Sequence, residues 1–475
     1  MRGWVIGTLM LGVIGGYFAV CLARPNGLKD PAGDLYARLT DSFQAGRTSL
    51  LVKPDPRLLA LPDPYRSCPA NRLHDASLYK GKYYVYFGPT PVLIALLPYK
   101  LVTGLYLPNR VAVPLFCSLG FLCSCGVFYL SIRRAAWSCP LWLEVAVILS
   151  LGYSQLVCFL LVRAEFYEVA ISSGYFLVMA GFLFTAWPLG LKKRRWFVPL
   201  AGLCFGLAVG CRPTLALVAV PMTAFIAVRF WPSAAMIGRF AAPLLVAGAM
   251  LATYNFVRFG NPFEFGVNYQ VTCNPGGPVL HLKASNFLPS VKRFLLAPPV
   301  VDGVFPYLHP FFASPFLDHP SRLPGRMFWA HEAAIPVLPE DIWPEPLAGL
   351  LWAAPLSIFG VLAFWLLRAA PPNGGDAGFT PWLVRSMLAC SLAVLCLLSL
   401  TGWVLGRYEA DFAPLTILAS CCVVVGVWQN RGGMSTIRTK LLRFSVLACV
   451  AWSVLLNVAF QTPTVDRIKR FLSAL

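Results

Sequence analysis

Acidic residues are scarce in this chain, with 20 Asp and Glu among 475 residues, so those beside apolar runs are where chemistry is sought first. "KDPAGDLY" sets Asp30 and Asp34 just beyond a run that opens at Gly3. Asp34 has two compatible readings. It is a helix N-cap or an i, i+4 partner for Arg38, or it is a general base that takes a proton from an acceptor hydroxyl. "LVRAEFYEVA" (161–170) crowds Arg163, Glu165 and Glu168 into a short turn between two apolar segments. Charges near a bilayer are costly unless solvated or paired, so this turn is either a plain salt bridge or a site. "GLAVGCRPT" ends on Arg212 before Pro213, where an arginine snorkelling to the interface is the simple reading. "GRYEADFAP" (406–414) places Arg407, Tyr408 and two acids beside another apolar edge. Arg407, Arg163 and Lys82 would together make a positive pocket for a phosphate, whose oxygens suit arginine's planar fork. Each alone is an ordinary interface anchor; their convergence on one face is what carries information.

Other signals are weak. "WAHEAA" holds His331 and Glu332 but lacks the second histidine of a zinc-protease helix. His309, His319 and His331 are loosely spaced for a metal. A phosphate-binding loop, a dinucleotide fingerprint and a GxSxG elbow are all missing, so ATP-driven transport finds no support.

The elements that must position these groups are membrane helices. Residues are 58% hydrophobic and 12% charged, and the mean hydropathy is +0.67; soluble domains carry about 25% charged residues. Apolar runs of about 20 residues recur along the chain. The first, "GWVIGTLMLGVIGGYFAVCLA", reads as a retained anchor rather than a signal peptide. Spans are expected near 3–22, 109–132, 140–162, 168–187, 196–212, 213–229, 236–256, 346–368, 380–401, 412–429 and 441–460. With the N-terminus inside, the cytoplasmic turns hold Arg133–Arg134, "KKRR" (192–195), Arg229, Arg239, Arg368 and residues 431–443. Most acids and all five histidines then fall outside, and Arg467, Lys469 and Arg470 are discordant. The net charge of +19 therefore reflects topology rather than nucleic-acid binding. Cysteines lie mostly in spans, where they act as small apolar residues; Cys68 and Cys273 fall in exterior loops and are candidates to pair.

Three regions follow: a membrane module 1–256, an exterior cap 257–345 without clean periodicity, and C-terminal helices 346–475. The first module carries an exterior loop, 23–108, with a helix in "DLYARLTDSFQAG" stopped by Gly46. "HDASLYKGKYYVYFGPTPVLIALLPY" (74–99) then spends Asp75, Lys80, Lys82 and several tyrosines on a ramp into an apolar segment. Broken by Pro98 and ended by Pro108, that segment reads as a helix along the membrane surface, with the tyrosines at headgroup depth.

The motifs "GDLYARLTDSFQAG", "YKGKYYVYFGPTP", "FYEVA", "GLAVGCRPT", "YNFVRFGNPFEFG" and "RYEADFAP" resemble the polytopic GT-C glycosyltransferases, on the branch of aminoarabinose transferase and protein O-mannosyltransferase. The resemblance covers most of the chain in layout. It implies an all-α polytopic fold of about 11 spans with exterior surface helices, integral to a bacterial plasma membrane with the N-terminus in the cytoplasm. It implies transfer of a sugar from a polyprenyl-phosphate donor to a lipid, glycan or protein acceptor on the exterior side. Asp34 (or Asp30) inherits the role of base; Lys82 and Arg407, with Arg163, would hold the donor phosphate. Glu165, Glu168, Arg212 and Tyr408 would line the substrate. Two departures stand out: the first-loop acids are four apart rather than adjacent, and the lysine–proline element is stretched to "KYYVYFGPTPVL". A flippase for lipid-linked glycans, or an inactive accessory subunit, is the alternative; a metal requirement stays open.

Overall fold

The computed structural model describes residues 2–23, 33–65, 72–187, 191–271, 282–301, 308–310, 343–344, 347–361, 363 and 378–461. Long apolar runs become helices because backbone surrounded by hydrocarbon must satisfy its own N–H and C=O groups. The chain begins with α1 (Arg2–Leu22) and α2 (Leu35–Gln44). A hairpin follows, β1 (Ser77–Tyr79) and β2 (Lys82–Tyr84), then α3 (Val92–Thr103). Next come α4 (Asn109–Arg134), α5 (Leu141–Tyr153), α6 (Cys158–Arg163) and α7 (Phe166–Ala186). After these lie α8 (Leu191–Val209), α9 (Ala216–Phe230) and α10 (Ala234–Phe259). A further helix, α11 (Ala284–Leu296), precedes α12 (Phe379–Thr401), α13 (Ala413–Gln429) and α14 (Thr436–Gln461).

Among the described residues, seven segments are long and apolar enough to cross a bilayer: α1, α4, α7, α9 counted from Pro213, α10, α12 and α14. The remaining expected spans are shorter or broken. The run at 140–162 is not one helix: it unwinds between Tyr153 and Cys158, with Leu156 at φ 59°. Irregular backbone inside a membrane bundle survives where neighbours satisfy it. Here Tyr17 donates to the Gly152 carbonyl, and Tyr175 donates to the buried Gln155 side chain. The run at 346–368 is likewise interrupted. Leu350–Ala353 ends before Pro355, a 3₁₀ turn covers Pro355–Ser357, and Asn457 donates to the Ala353 carbonyl at 3.1 Å.

The pieces between the long helices follow local rules. α2 is capped by Asp34 and stops where Gly46 turns left-handed at φ 67°, and Leu35, Tyr36 and Leu39 face the core. α3 opens with a π turn at Val92–Leu96, as expected where Pro98 has no N–H to continue an α ladder. Its outward face is apolar (Leu93, Leu101, Val102), while Lys100 turns inward to Asp41 and the Tyr106 ring. The cap expected to be irregular contains α11, whose buried stripe includes Asn286, Ser290, Arg293 and Phe294. A helical period is present in the sequence there, with Phe287, Leu288, Val291, Phe294 and Leu295 at i, i+1, i+4, i+7 and i+8, and it corrects the irregular reading of this stretch. Cys68 and Cys273, as well as Asp30, His281, His319 and His331, lie outside the described residues.

Candidate active site

The turn between α6 and α7 makes the first half of the site. Ala164 ends α6 in the left-handed region at φ 45°, and Glu165, extended, caps α7. Glu168 completes a capping box by accepting the Glu165 N–H at 3.1 Å. That box pins the fully buried Glu168 carboxylate where two guanidiniums share it: Arg407 Nη1 at 3.4 Å and Arg163 Nε at 3.8 Å. Arg163 also pairs with the half-exposed Glu165 at 2.9 Å. Both guanidiniums lie over the Tyr167 ring, at 4.9 and 5.0 Å from its centroid. The salt-bridge reading of this turn is thus met, Arg163 pairing with both acids.

The second half comes from residues 406–411. They form a 3₁₀ helix, whose three-residue turn aligns Tyr408 with Asp411. Arg212 meets both. A residue before proline is driven to extended backbone, and Arg212 has φ −143° and ψ 126°. Its side chain is buried rather than snorkelling outward: Nε lies 3.0 Å from Asp411 Oδ2 and the guanidinium 4.3 Å from the Tyr408 ring. Thr214 donates to the same carboxylate at 3.4 Å.

The tyrosine ramp closes the cluster. Lys80 and Gly81, both at positive φ, make the tight hairpin turn. The antiparallel register pairs Ser77 with Tyr84 and Tyr79 with Lys82. Lys82 is therefore exposed at the tip of the hairpin, and the structure does not bring it to the arginines. A three-residue strand is too short to hide that end. The open end of the hairpin faces the cations instead. Past the ladder, the Tyr86 phenol feels Tyr408, Asp75, Arg407 and Arg212. Burial pushes that phenol well above its ordinary range.

Beyond Tyr86 the ramp runs onto the end of α8. Thr90 N–H donates to the Gly210 carbonyl at 3.1 Å, and Tyr36 donates to the Gly88 carbonyl at 3.2 Å. A Cβ on Gly88 would stand 1.9 Å from the Gly210 oxygen, an overlap with backbone that no rotamer relieves. Gly88→Ala is therefore expected to part the ramp from the Arg212 turn. Overpacking of this kind costs about 1–3 kcal/mol, and a lowered melting temperature together with lost activity in the purified variant is the measurement.

Asp34 caps α2. Its Oδ1 accepts the Ala37 N–H at 2.9 Å, and Oδ2 accepts from Asn109 at 2.6 Å. Burial pushes its carboxyl up, against the pull of those two hydrogen bonds. The buried Tyr36 hydroxyl lies close enough to feel both Asp34 and Arg212. So the structure gathers Arg163, Glu165, Glu168, Arg212, Arg407 and Tyr408 at one end of the bundle, puts Asp34 and Arg212 both within electrostatic reach of the Tyr36 hydroxyl, and leaves Lys82 outside. Asp75, Tyr86, Tyr167 and Asp411 join them without having been assigned a role from the sequence. No direct signal in the sequence marked these, because their place depends on contacts made beyond the hairpin ladder.

Along the other side of the ramp runs a groove of about 500 Å³ between α2, α3, α8 and α10. Phe43, Thr90, Leu93, Leu207, Val246 and Tyr254 are among its largely apolar walls, and Arg47 lies at it too. Among the described residues no His, Cys, Asp or Glu group has the make-up of a metal site.

The fold has a solved counterpart. Across 97% of its length, the chain superposes on 76% of ArnT from Cupriavidus metallidurans, solved with undecaprenyl phosphate bound, at a TM-score of 0.51 and 14% identity. Its fold is that of the GT-C membrane glycosyltransferases. A weaker GT-C match is the Archaeoglobus fulgidus oligosaccharyltransferase in its apo form, at TM-score 0.45 and 12% identity over 96% of this chain and 56% of that one. The archaeal oligosaccharyltransferase AglB from Archaeoglobus fulgidus, in complex with an inhibitory peptide and a dolichol-phosphate, matches at TM-score 0.44 and 12% identity, over 94% and 55%. No family model matches the sequence, and no curated protein matches it.

Proposed function

We propose that this protein transfers a sugar from a polyprenyl-phosphate donor to an acceptor on the exterior side of a bacterial plasma membrane, with its N-terminus in the cytoplasm. The observation that carries this is the convergence of Arg163, Arg212 and Arg407 over Tyr167 and Tyr408, with the buried Tyr36 hydroxyl feeling both Arg212 and the half-buried carboxylate of Asp34. Guanidinium groups suit the phosphate that leaves, and a carboxylate suits the proton that must be taken.

In this reading the acceptor hydroxyl attacks the anomeric carbon while the bond from that carbon to the phosphate oxygen breaks. The electron pair departs with the polyprenyl phosphate, Arg163 and Arg407 stabilise the charge it gains, and the acceptor proton passes to Asp34. A single displacement inverts the anomeric centre. The apolar groove beside the ramp accommodates the first units of the carrier chain, and Arg47 suits a neighbouring headgroup. Cations at Arg133, Arg229, Arg239 and Arg431 lie at the helix ends remote from the site, which supports the assigned orientation.

The test is incubation of the purified protein with radiolabelled polyprenyl-phosphate sugars and membrane extract. Label is expected to move to an acceptor with release of free polyprenyl phosphate. Movement of intact donor across a vesicle membrane without bond cleavage would establish a flippase instead. The rate should also fall on acidification at a pH above the ordinary aspartate range. A base must be ionised, and burial holds the proton on Asp34 up to a higher pH than usual. A flat profile down to pH 4 would remove Asp34 from that role.

A further inference from the structure

One buried carboxylate has no part in the transfer described above. Asp75 has its backbone at φ 60°, a region that aspartate visits but rarely settles in. Its N–H is held by the Val271 carbonyl at 3.2 Å, and the Val271 N–H returns to the Ala76 carbonyl at 2.9 Å. Ser77 Oγ adds a bond to the Gly266 carbonyl at 2.8 Å. Backbone clamps thus aim the side chain. The groups that face it are His74, 3.6 Å away and exposed, Arg72 of the same loop, Arg163 of α6, Arg407 of the 3₁₀ helix, and the Tyr86 phenol. Burial raises its carboxyl above the ordinary range, and His74 and the three arginines act against that.

We propose that Asp75 accepts hydrogen bonds from the sugar hydroxyls of the donor and so helps set which sugar is transferred. The inference rests on the donor reading above. If Arg163 and Arg407 hold the carrier phosphate, the sugar is one bond away, and a carboxylate close to both guanidiniums borders the ring. An ionised carboxylate only accepts, through about four lone-pair sites, which suits neighbouring hydroxyls. Charge-assisted bonds of this kind are roughly twice as strong as neutral ones. Asp75 is on the wrong side to be the base. In an inverting displacement the nucleophile and its base approach opposite the leaving phosphate, whereas Asp75 lies beside the phosphate's cations. The Tyr86 hydroxyl, within electrostatic reach of Asp75, is placed to contact the same ring.

The test compares two probes on the purified full-length protein. One is the polyprenyl-phosphate lipid fraction extracted from membranes of the source cells; the other is that fraction after mild acid has released its sugars. Wild type is expected to bind the sugar-bearing fraction more tightly. Asp75→Asn, which keeps the size and tolerates positive φ, should weaken that binding by about 10- to 100-fold and leave the stripped lipid unaffected. Asp75→Gly, for which φ 60° is unstrained, should do the same and guards against misfolding of the first variant. Equal weakening of both probes would show that Asp75 merely positions the arginines, and no change with either would show that it touches neither; both overturn the inference. Wild type binding neither fraction would overturn the donor reading itself, and this one with it.

Discussion

Asp34→Asn is expected to lower sugar transfer by about 10²- to 10⁴-fold, the usual contribution of a positioned general base, while the protein inserts and purifies normally. The separation is possible because the two roles of Asp34 depend on different properties. As an N-cap it needs an oxygen for the Ala37 N–H, and asparagine caps helices about as well as aspartate. As a base it needs a carboxylate, which asparagine lacks. Removing the buried charge also removes the burial penalty that raises this carboxyl. The melting temperature should therefore hold or rise slightly as turnover collapses. Turnover measured with labelled donor, beside thermal unfolding in the same detergent, checks both halves. Near-normal turnover would leave Asp34 as a cap and no more.

Arg407 carries the second large effect, and it acts on stability as well as rate. Its guanidinium is mostly buried, pairs with the fully buried Glu168 at 3.4 Å, and lies over the Tyr167 ring. Truncation to alanine leaves Glu168 to Arg163 alone, whose Nε is 3.8 Å away and which is partly drawn off by Glu165. Breaking a buried pair from one side costs about 3–5 kcal/mol, so Arg407→Ala should unfold at a clearly lower temperature. Its transfer rate should fall by about 10²–10³-fold, as when a donor to developing negative charge is lost. Arg407→Lys separates the two effects. A lysine restores a positive charge beside Glu168 and recovers most of the stability, but it presents no planar fork to a phosphate. Stability recovered with activity still low, at least about tenfold down, supports a phosphate contact. Recovery of both would reduce Arg407 to a structural counter-ion of Glu168.

The interruptions in the helices show where local and global information part. Composition and apolar runs of about 20 residues suffice for a polytopic helical protein, because hydrocarbon admits few alternatives to a helix. α2 was legible down to its cap and its glycine stop, since both signals are short-range. The break at 154–157 was not. Nothing local in "GYSQLVC" demands it, and it exists because Tyr17 and Tyr175, far away in sequence, satisfy what the unwound segment exposes. α11 was legible in principle, because Phe287, Leu288, Val291, Phe294 and Leu295 keep helical spacing, but the burial of Asn286, Ser290 and Arg293 on it was not, since it depends on how the helix packs.

The candidate site divides along the same line. Residue types beside apolar edges named Asp34, Arg163, Glu168, Arg212 and Arg407 from the sequence, because charge near a bilayer is costly and rarely idle. Which of them meet was a tertiary matter. Arg212 and Asp411 are 199 positions apart and yet 3.0 Å from each other. Lys82, only four residues from Tyr86, is set outside because a three-residue strand and its register send tip and open end in opposite directions. Sequence by itself thus determined the class of molecule and the stock of charged groups, since both depend on how single side chains partition between water and lipid. Only the packed bundle decided which charges share a carboxylate, because ion pairs depend on distances that chain order does not encode.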